Sequence, residues 1–173
     1  QPALVSDKVA DLDNAEPGAT VRYRLTARNV GQGAATDAIL FDRIPNGLVF
    51  DHVVDPGLGG IVYVSNAQPP LLPAAFTNLA QFDKSLATGA LFVPATSLGD
   101  GTWTSPFGAN TTWVAIELDD HSLTPPRLST GIEVVSEIVV TVGPLPSQTI
   151  VANRSAVDAT RVLAAVGPTA LTQ

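Results

Sequence analysis

The sequence predicts an all-β protein, an immunoglobulin-like β-sandwich with Pro/Gly-rich loops and one long irregular insertion. Charged residues make up 14% of the 173-residue chain, well below the usual share of about 25%, whereas 45% are hydrophobic. The 14 glycines and 14 prolines supply turn signals along the whole chain. Apolar and polar residues alternate with a period of two in several segments, and no segment keeps a helical period for ten residues.

The N-terminal part of the chain shows this alternation most clearly. In residues 20–29, Tyr23 and Leu25 alternate with Arg22 and Arg24, which predicts a half-buried strand with one face toward solvent. A Pro-Gly turn precedes this strand, and an Asn-x-Gly turn follows it. Further strands are predicted at residues 38–44, 48–54 and 61–65.

Residues 66–110 are less regular and are predicted to form the long insertion. Three prolines in its first eight residues disfavour regular pairing, so only short strands are expected there, at 89–93 and 102–105. Regular strands are predicted again at residues 112–118, 132–142 and 149–158. The chain is therefore expected to contain about eight to ten strands, a number typical of a sandwich or barrel, and the mixture of long and short strands favours the sandwich.

Composition limits the classes of function. The formal net charge is −7 and the isoelectric point is about 4.5, which argues against binding to nucleic acid or to an anionic membrane surface. The absence of cysteine excludes thiol catalysis, disulfide bonds and cysteine-bound metals. No apolar run reaches the roughly 18 residues that a membrane-spanning helix needs.

The start of the chain carries a prediction about localisation. The sequence contains no methionine and begins at Gln1, which predicts that a leader was removed, most commonly a secretory signal peptide. We therefore expect a secreted protein, extracellular or at the cell surface, whose mature chain begins at Gln1. The lack of both Cys and Met also suits an oxidising exterior, because neither side chain is there to be oxidised.

Several short motifs follow one another along the chain. From the N-terminus they are Pro17-Gly18, Asn29-Val30-Gly31, Asp42 before Pro45-Asn46-Gly47-Leu48, Trp113-Val114-Ala115-Ile116, Pro144-Leu145-Pro146 and Asn153-Arg154-Ser155-Ala156-Val157. In this order and spacing, the chain resembles the conserved repeat domain of large bacterial and archaeal cell-surface proteins, catalogued as a domain of unknown function (number eleven). The resemblance covers about residues 4–158.

The resemblance implies an immunoglobulin-like fold, secretion, and a structural or adhesive role without catalytic residues. It places one domain at residues 1–160 and leaves residues 161–173 as a C-terminal tail beyond the last family strand. The chain also departs from the family in holding a single copy, since the family usually occurs in tandem arrays.

Candidate catalytic residues are few, so no enzymatic activity is predicted. The two histidines, His52 and His121, lie in an alternating strand and in a predicted turn, and neither belongs to a nucleophile motif. Asp119 and Asp120 are adjacent, and adjacent strand residues face opposite ways, so the two carboxylates are not expected to converge on one bond. Both are predicted to be solvated turn residues.

A loop near the N-terminus is a candidate calcium site. Asp11, Asp13, Asn14 and Glu16 place four oxygen-bearing side chains within six residues, and Ca²⁺ prefers such hard oxygen ligands. The strict EF-hand pattern is absent, because no glycine occupies the position of the sharp turn. The alternative is a polar loop in which Asp13 and Asn14 make Asx turns, and no other cofactor is predicted.

Two terminal segments are candidate assembly strands, because open sandwich edges invite strand addition. The first spans residues 3–9 and offers Leu4, Val5 and Val9. The second lies in the C-terminal tail and offers Val162, Leu163 and Val166. The alternatives are an ordinary first strand for the former and an extension of the last strand for the latter.

These observations predict a secreted structural subunit that polymerises with itself into an extracellular filament or surface layer by strand exchange. The alternative is a cell-surface adhesin or glycan-binding module, whose partner is a surface glycan or another surface protein. Aromatic residues available for a glycan platform are Tyr63, Phe76, Trp103, Phe107 and Trp113, unless they pack into the core.

Overall fold

The computed structural model describes residues 1–55, 57–68, 92–146, 150–153, 155–159, 162–165 and 169–172. In chain order its strands are β1 (Leu4–Ala10), β2 (Thr20–Asn29), β3 (Ile39–Arg43), β4 (Leu48–Val54), β5 (Val62–Ser65), β6 (Val93–Pro94), β7 (Thr96–Ser97), β8 (Thr102–Thr104), β9 (Trp113–Glu117), β10 (Glu133–Val142), β11 (Ile150–Asn153), β12 (Ser155–Ala159), β13 (Val162–Ala165) and β14 (Thr169–Thr172). A short 3-10 helix at Gly108–Asn110 precedes β9. Within the described residues, no helix is long enough and apolar enough to cross a membrane.

Two six-stranded antiparallel sheets pack face to face, which confirms the predicted sandwich. The first sheet has the order β1-β2-β10-β4-β8-β7, and the second has the order β13-β12-β3-β9-β5-β6. A separate two-stranded sheet joins β11 to β14. Sequence neighbours are often not sheet neighbours, so most of the pairing is between distant parts of the chain, as in Greek-key sandwiches.

Strand β2 shows why the sequence alternates. Tyr23 and Leu25 are completely buried between the sheets, whereas Arg22 and Arg24 are exposed, as predicted. β2 pairs with β1 on one side and with β10 on the other, so its backbone is satisfied on both edges. The polar outer face and apolar inner face therefore follow directly from the period of two.

The second sheet is covered on both faces. Its inner face contributes Leu40, Val114 and Ile116 to the main core between the sheets. Its outer face carries a second apolar cluster, formed by Ile39, Phe41, Tyr63, Ala67, Phe92, Trp113 and Ala115. Double coverage explains why β3, β5 and β9 are almost wholly buried and have few outward polar residues.

Gly47 shows why the Pro-x-Gly turn between β3 and β4 requires glycine. Its φ angle is 93°, a left-handed conformation that side chains other than glycine rarely adopt. A Cβ atom at this position would also lie 2.5 Å from Cδ1 of Leu145, so no larger residue fits without movement. The turn therefore packs tightly against Leu145, in the segment that follows β10.

The strand count exceeds the prediction, since fourteen strands lie within the described residues. The predicted run at 149–158 divides into β11 and β12, which pair in different sheets, and periodicity does not report a change of partner. The insertion contributes β6, β7 and β8, but the three prolines in its first eight residues and most of the predicted strand at 89–93 lie outside the described residues.

Candidate functional site

The first candidate assembly strand is β1, at one edge of the first sheet. It pairs antiparallel with β2, from Leu4 opposite Asn29 to Ala10 opposite Tyr23. Leu4 is buried, whereas Val5 and Val9 are 47% and 54% exposed on the outer face. In the single chain, β1 thus occupies its own sheet as an ordinary first strand, and exchange between chains stays a prediction.

The second candidate segment also pairs within the chain. β13 contains Val162 and Leu163 and pairs with β12 at the edge of the second sheet. β14 follows and pairs with β11. Val166 lies outside the described residues. The part of 161–173 that is described is therefore built into two sheets, and a donor role for it stays a prediction.

A buried ion pair that the sequence analysis did not single out lies between the two sheets. Lys8 on β1 points inward, and its Nζ atom contacts Oδ2 of Asp42 on β3. The two side chains are 0% and 2% exposed. The alternation of β1 explains the inward direction. Lys8 is four positions after buried Leu4, and strand residues an even number of positions apart face the same side of the sheet. The pair links the first strand of one sheet to a central strand of the other.

Tyr23 completes the surroundings of this pair. The Lys8 Nζ atom lies 4.7 Å from the centroid of the Tyr23 ring, a cation–π distance. Burial lowers the pKa of Lys8 below its usual value, and the adjacent Asp42 carboxylate partly offsets that effect. The arrangement thus holds a desolvated amine against a carboxyl group and an aromatic face.

Asn29 anchors the N-terminal segment. Its Oδ1 accepts hydrogen bonds from the backbone N–H groups of Ala3 and Gly31, at 3.2 and 3.1 Å. Its Nδ2 donates to the carbonyls of Gly33 and Leu128, at 2.8 and 3.0 Å. Asn29 is completely buried, so the Asn-x-Gly motif is a structural clamp as well as a turn.

Asp119 corrects one prediction, because it is buried rather than solvated. Its two carboxylate oxygens accept hydrogen bonds from the backbone N–H groups of Asp37 and Ala38, at 2.9 and 3.1 Å. Asp37 has a φ angle of 55°, and the Asp119 carboxylate stabilises this left-handed turn. Asp120 is only partly buried and accepts hydrogen bonds from Ser122, so the two aspartates have separate structural roles.

The two histidines lie near the surface. His52 Nδ1 is 3.0 Å from Oδ2 of Asp51, and His121 Nε2 is 3.3 Å from Oε2 of Glu117. Their side chains are 24% and 37% exposed, respectively. Neither has a serine or threonine hydroxyl among the contacts described for it, so neither forms part of a recognisable triad.

The candidate calcium loop is exposed at Asp11, Asp13, Asn14 and Glu16. Asp11 Oδ1 accepts a hydrogen bond from the backbone N–H of Arg22 at 2.8 Å, which ties the loop to β2. In the described part of the chain, three or more acidic or histidine side chains do not gather closely enough to hold a metal ion. Calcium binding stays a prediction.

The aromatic residues proposed for a glycan platform do not form one surface. Tyr63 and Trp113 are buried in the outer cluster of the second sheet. Trp103 and Phe107 are partly buried and pack against the main core. Phe76 lies outside the described residues. The expectation of a platform that includes Tyr63 or Trp113 is therefore wrong, because both rings are buried in a hydrophobic cluster.

The outer face beside β1 carries charges of both signs. An open groove there has a volume of about 340 Å³ and reaches Val9 at the edge. It is lined by Asp7, Val9, Ala10, Asp11, Arg22, Arg24, Thr26 and Glu137. Arg22 forms an ion pair with Glu137, at 3.3 Å. The strand edge is therefore bordered by a mixed-charge face rather than by a purely acidic one.

Replacing Asp55 with asparagine is expected to change the pH dependence of stability. Asp55 is 5% exposed and accepts a hydrogen bond from Ser136 at 2.9 Å, yet burial raises its pKa above the usual value. An aspartate whose pKa is raised by folding stabilises the native state below its unfolded pKa, and this contribution is lost as pH rises through the folded pKa. The free energy of unfolding of Asp55→Asn, minus that of the natural chain, should therefore increase from about pH 4 to about pH 7.

Urea unfolding at both pH values measures this difference. The matched control is Asp51→Asn, since the Asp51 side chain is 61% exposed on β4. The control should stay within about 0.5 kcal/mol of the natural chain at either pH. An Asp55→Asn curve parallel to that of the natural chain would show that Asp55 does not carry this pH dependence.

Comparison with protein-family models and with curated proteins finds no match. The resemblance to the surface-protein repeat domain therefore stays a prediction. Among solved structures, the chain matches BcpA, the major pilin subunit of Bacillus cereus, with a TM-score of 0.52 and 13% identity. The match covers 98% of this chain and 40% of BcpA.

Two proteins from Corynebacterium diphtheriae match in the same way. One is a putative membrane anchored protein, with a TM-score of 0.51 and 8% identity, over 98% of this chain and 35% of that one. The other is the full-length major pilin SpaD, with a TM-score of 0.47 and 14% identity, over 97% of this chain and 34% of that one. The chain thus spans two fifths or less of these proteins. At such low identity, the two matches with a TM-score above 0.5 show a shared fold and nothing of activity.

Proposed function

We propose that this chain is a non-enzymatic structural subunit at the cell exterior that assembles with copies of itself into a filament or surface layer. The position of β1 at the edge of the first sheet carries this proposal. The shared fold with the BcpA pilin subunit and with a putative membrane anchored protein is consistent with it, although their match covers only part of those proteins.

The edge of β1 is suited to strand addition. Among the described residues, β1 has β2 as its only hydrogen-bonded neighbour in the first sheet, so β1 is the edge strand of that sheet. Seven residues of regular strand, with Val5 and Val9 exposed, form a longer and more apolar edge than natural monomers usually leave open. An extended segment of another copy would continue the sheet.

Strand exchange is the form of assembly that the chain's own contacts favour. If β1 of one copy replaced β1 of another, every pairing between Leu4–Ala10 and β2 would be kept, which is the principle of domain swapping. The segment at 11–19 would serve as the hinge. Charges of both signs beside the edge also suit a contact between identical copies, because each sign can meet its opposite.

Lysine substitutions on the outward face of β1 test the edge. Val5→Lys combined with Val9→Lys places positive charge on both exposed positions and leaves the buried face of the strand unchanged. We expect the natural chain to elongate into polymers in negative-stain microscopy and the double variant to remain short or monomeric. The matched control is Ile132→Lys, since Ile132 is 42% exposed but lies next to β10, a central strand.

Polymers in the control but not in the double variant would support the proposed edge. Normal polymers from the double variant would show that β1 is not the contact, and a natural chain that stays monomeric at high concentration would favour the adhesin alternative.

Deleting residues 1–10 separates exchange from simple edge addition. A synthetic peptide of residues 1–10 should rebind the truncated chain and restore its thermal stability if the groove of β1 can be filled in trans.

A further inference from the structure

We propose that Lys8 and Asp42 condense to an amide bond, so that the two sheets of the sandwich are covalently joined. The amide would link Nζ of Lys8 to Cγ of Asp42. This modification needs only the contact between the two side chains and does not depend on the function proposed above. Once formed within one chain, the bond keeps β1 in its own sheet, so exchange of β1 between copies would have to come before it.

Both reacting side chains are held in place by regular structure. Lys8 lies on β1 opposite Leu25 of β2, and Asp42 lies on β3 opposite Val114 of β9. The strands belong to facing sheets, and the two groups are 34 positions apart in the chain but in direct contact. A rigid arrangement of this kind raises the effective concentration of one group at the other far above any value reached in solution.

The surroundings exclude water and favour neutral groups. The two side chains are 0% and 2% exposed, so the charged forms have lost their hydration. Burial lowers the pKa of Lys8, which increases the share of the free amine. Proton transfer from the ammonium to the carboxylate converts the ion pair into an amine and a carboxylic acid without any external base. The amine is the nucleophilic form of lysine.

The reaction is a dehydration and balances without an oxidant or a reductant. The lone pair of Lys8 Nζ attacks Asp42 Cγ and forms the N–C bond. A proton from the nitrogen passes to the hydroxyl oxygen, the C–O bond breaks, and one water molecule leaves. The product is a secondary amide and water, with no change in oxidation state. Because the site is shielded from solvent, reverse hydrolysis is disfavoured once that water has gone.

The Tyr23 ring helps to orient the amine. At 4.7 Å from the ring centroid, Nζ is held on the aromatic face while it is still charged. Tyr23 is itself fixed on β2 next to β1, so it limits the directions in which Lys8 can point. We assign Tyr23 a positioning role, because its contact is with the amine of Lys8 before the bond forms.

A simpler interpretation of the same geometry is a permanent ion pair. An inward-pointing lysine on an edge strand protects that edge from wrong pairing, since a misplaced strand would leave the charge buried without its carboxylate. The two interpretations differ in covalent mass. An ion pair leaves the full sequence mass, whereas the amide leaves a chain lighter by one water molecule.

Mass spectrometry of the purified folded protein, after denaturation, tests the proposal. We expect an intact mass one water below the sequence value. Trypsin should fail to cleave after Lys8 and should release residues 1–22 joined to residues 29–43 as one branched peptide. This peptide is decisive, because succinimide formation at another aspartate also removes water, and cyclisation of Gln1 removes ammonia instead.

Two lysine variants are the controls. Lys8→Arg keeps the positive charge but cannot form this amide, so it should show no loss of water and no branched peptide. Lys84→Arg changes the only other lysine of the sequence and should retain both signals. If Lys8→Arg does not fold, the Lys8→Met/Asp42→Leu double variant provides an apolar replacement of the pair. A folded natural chain with full sequence mass, or without the branched peptide, would overturn the proposal.

Discussion

Replacing Tyr23 with alanine is expected to lower the free energy of unfolding by about 3–5 kcal/mol. Tyr23 is completely buried in the middle of the first sheet, between β1 and β10. Its removal leaves a cavity that the surrounding strands cannot fill, and it withdraws the aromatic contact from Lys8. A loss of this size is a large part of the total stability of about 5–15 kcal/mol that such domains have.

Urea unfolding followed by fluorescence or circular dichroism measures this loss. The matched control is Arg22→Ala, one position away on the opposite face of β2. Arg22 pairs with Glu137 at 3.3 Å, but the two side chains are 47% and 37% exposed, and such surface pairs contribute little. The control should change stability by no more than about 0.5 kcal/mol. Equal losses for the two variants would contradict the burial described for β2.

Asn29→Ala is expected to cost about 2–4 kcal/mol, because each buried polar group that loses its partner costs about 1–3 kcal/mol and some can rebind water. The Asn29 side chain makes four hydrogen bonds to main-chain groups, from Ala3 at the start of the chain to Leu128. Alanine removes all four at once. The N-terminal segment and the loop after β2 should loosen together.

Equilibrium unfolding gives the size of this effect, and proton exchange at the Ala3 and Gly31 amides gives its location. Asn66→Ala is the control, since Asn66 is exposed in the loop after β5. We expect the control to remain within about 0.5 kcal/mol of the natural chain. If Asn29→Ala were as mild as Asn66→Ala, the clamp would not hold the N-terminal segment.

The parts of the fold that could be predicted from the sequence are those that local periodicity determines. The residues of β2 alternate because one side faces the core and the other faces water, so the inward positions of Tyr23 and Leu25 could be read directly. β4 and β10 were placed within one residue of their bounds for the same reason. Pairing partners were not predictable, because hydrogen bonds between distant strands leave no local signal.

The Lys8–Asp42 contact is the clearest example of what local patterns miss. Taken alone, each residue looks like an ordinary surface charge within a strand. Two signals were nevertheless available: Lys8 faces the same side of β1 as Leu4, and Asp42 faces the same side of β3 as Leu40. Each predicts a buried charge, and a buried charge requires a partner. Only the topology shows that the two charges meet.

The position of β10 in the first sheet has a consequence for how the chain folds. β10 lies between β2 and β4, and Arg22 stands opposite Val139, so the centre of this sheet depends on a contact between distant parts of the chain. During synthesis, β1 and β2 can form a local hairpin, but β2 and β4 have no strand between them until residue 142 has been made. Folding is therefore expected to be slow and late, with an apolar strand edge exposed to aggregation in the meantime.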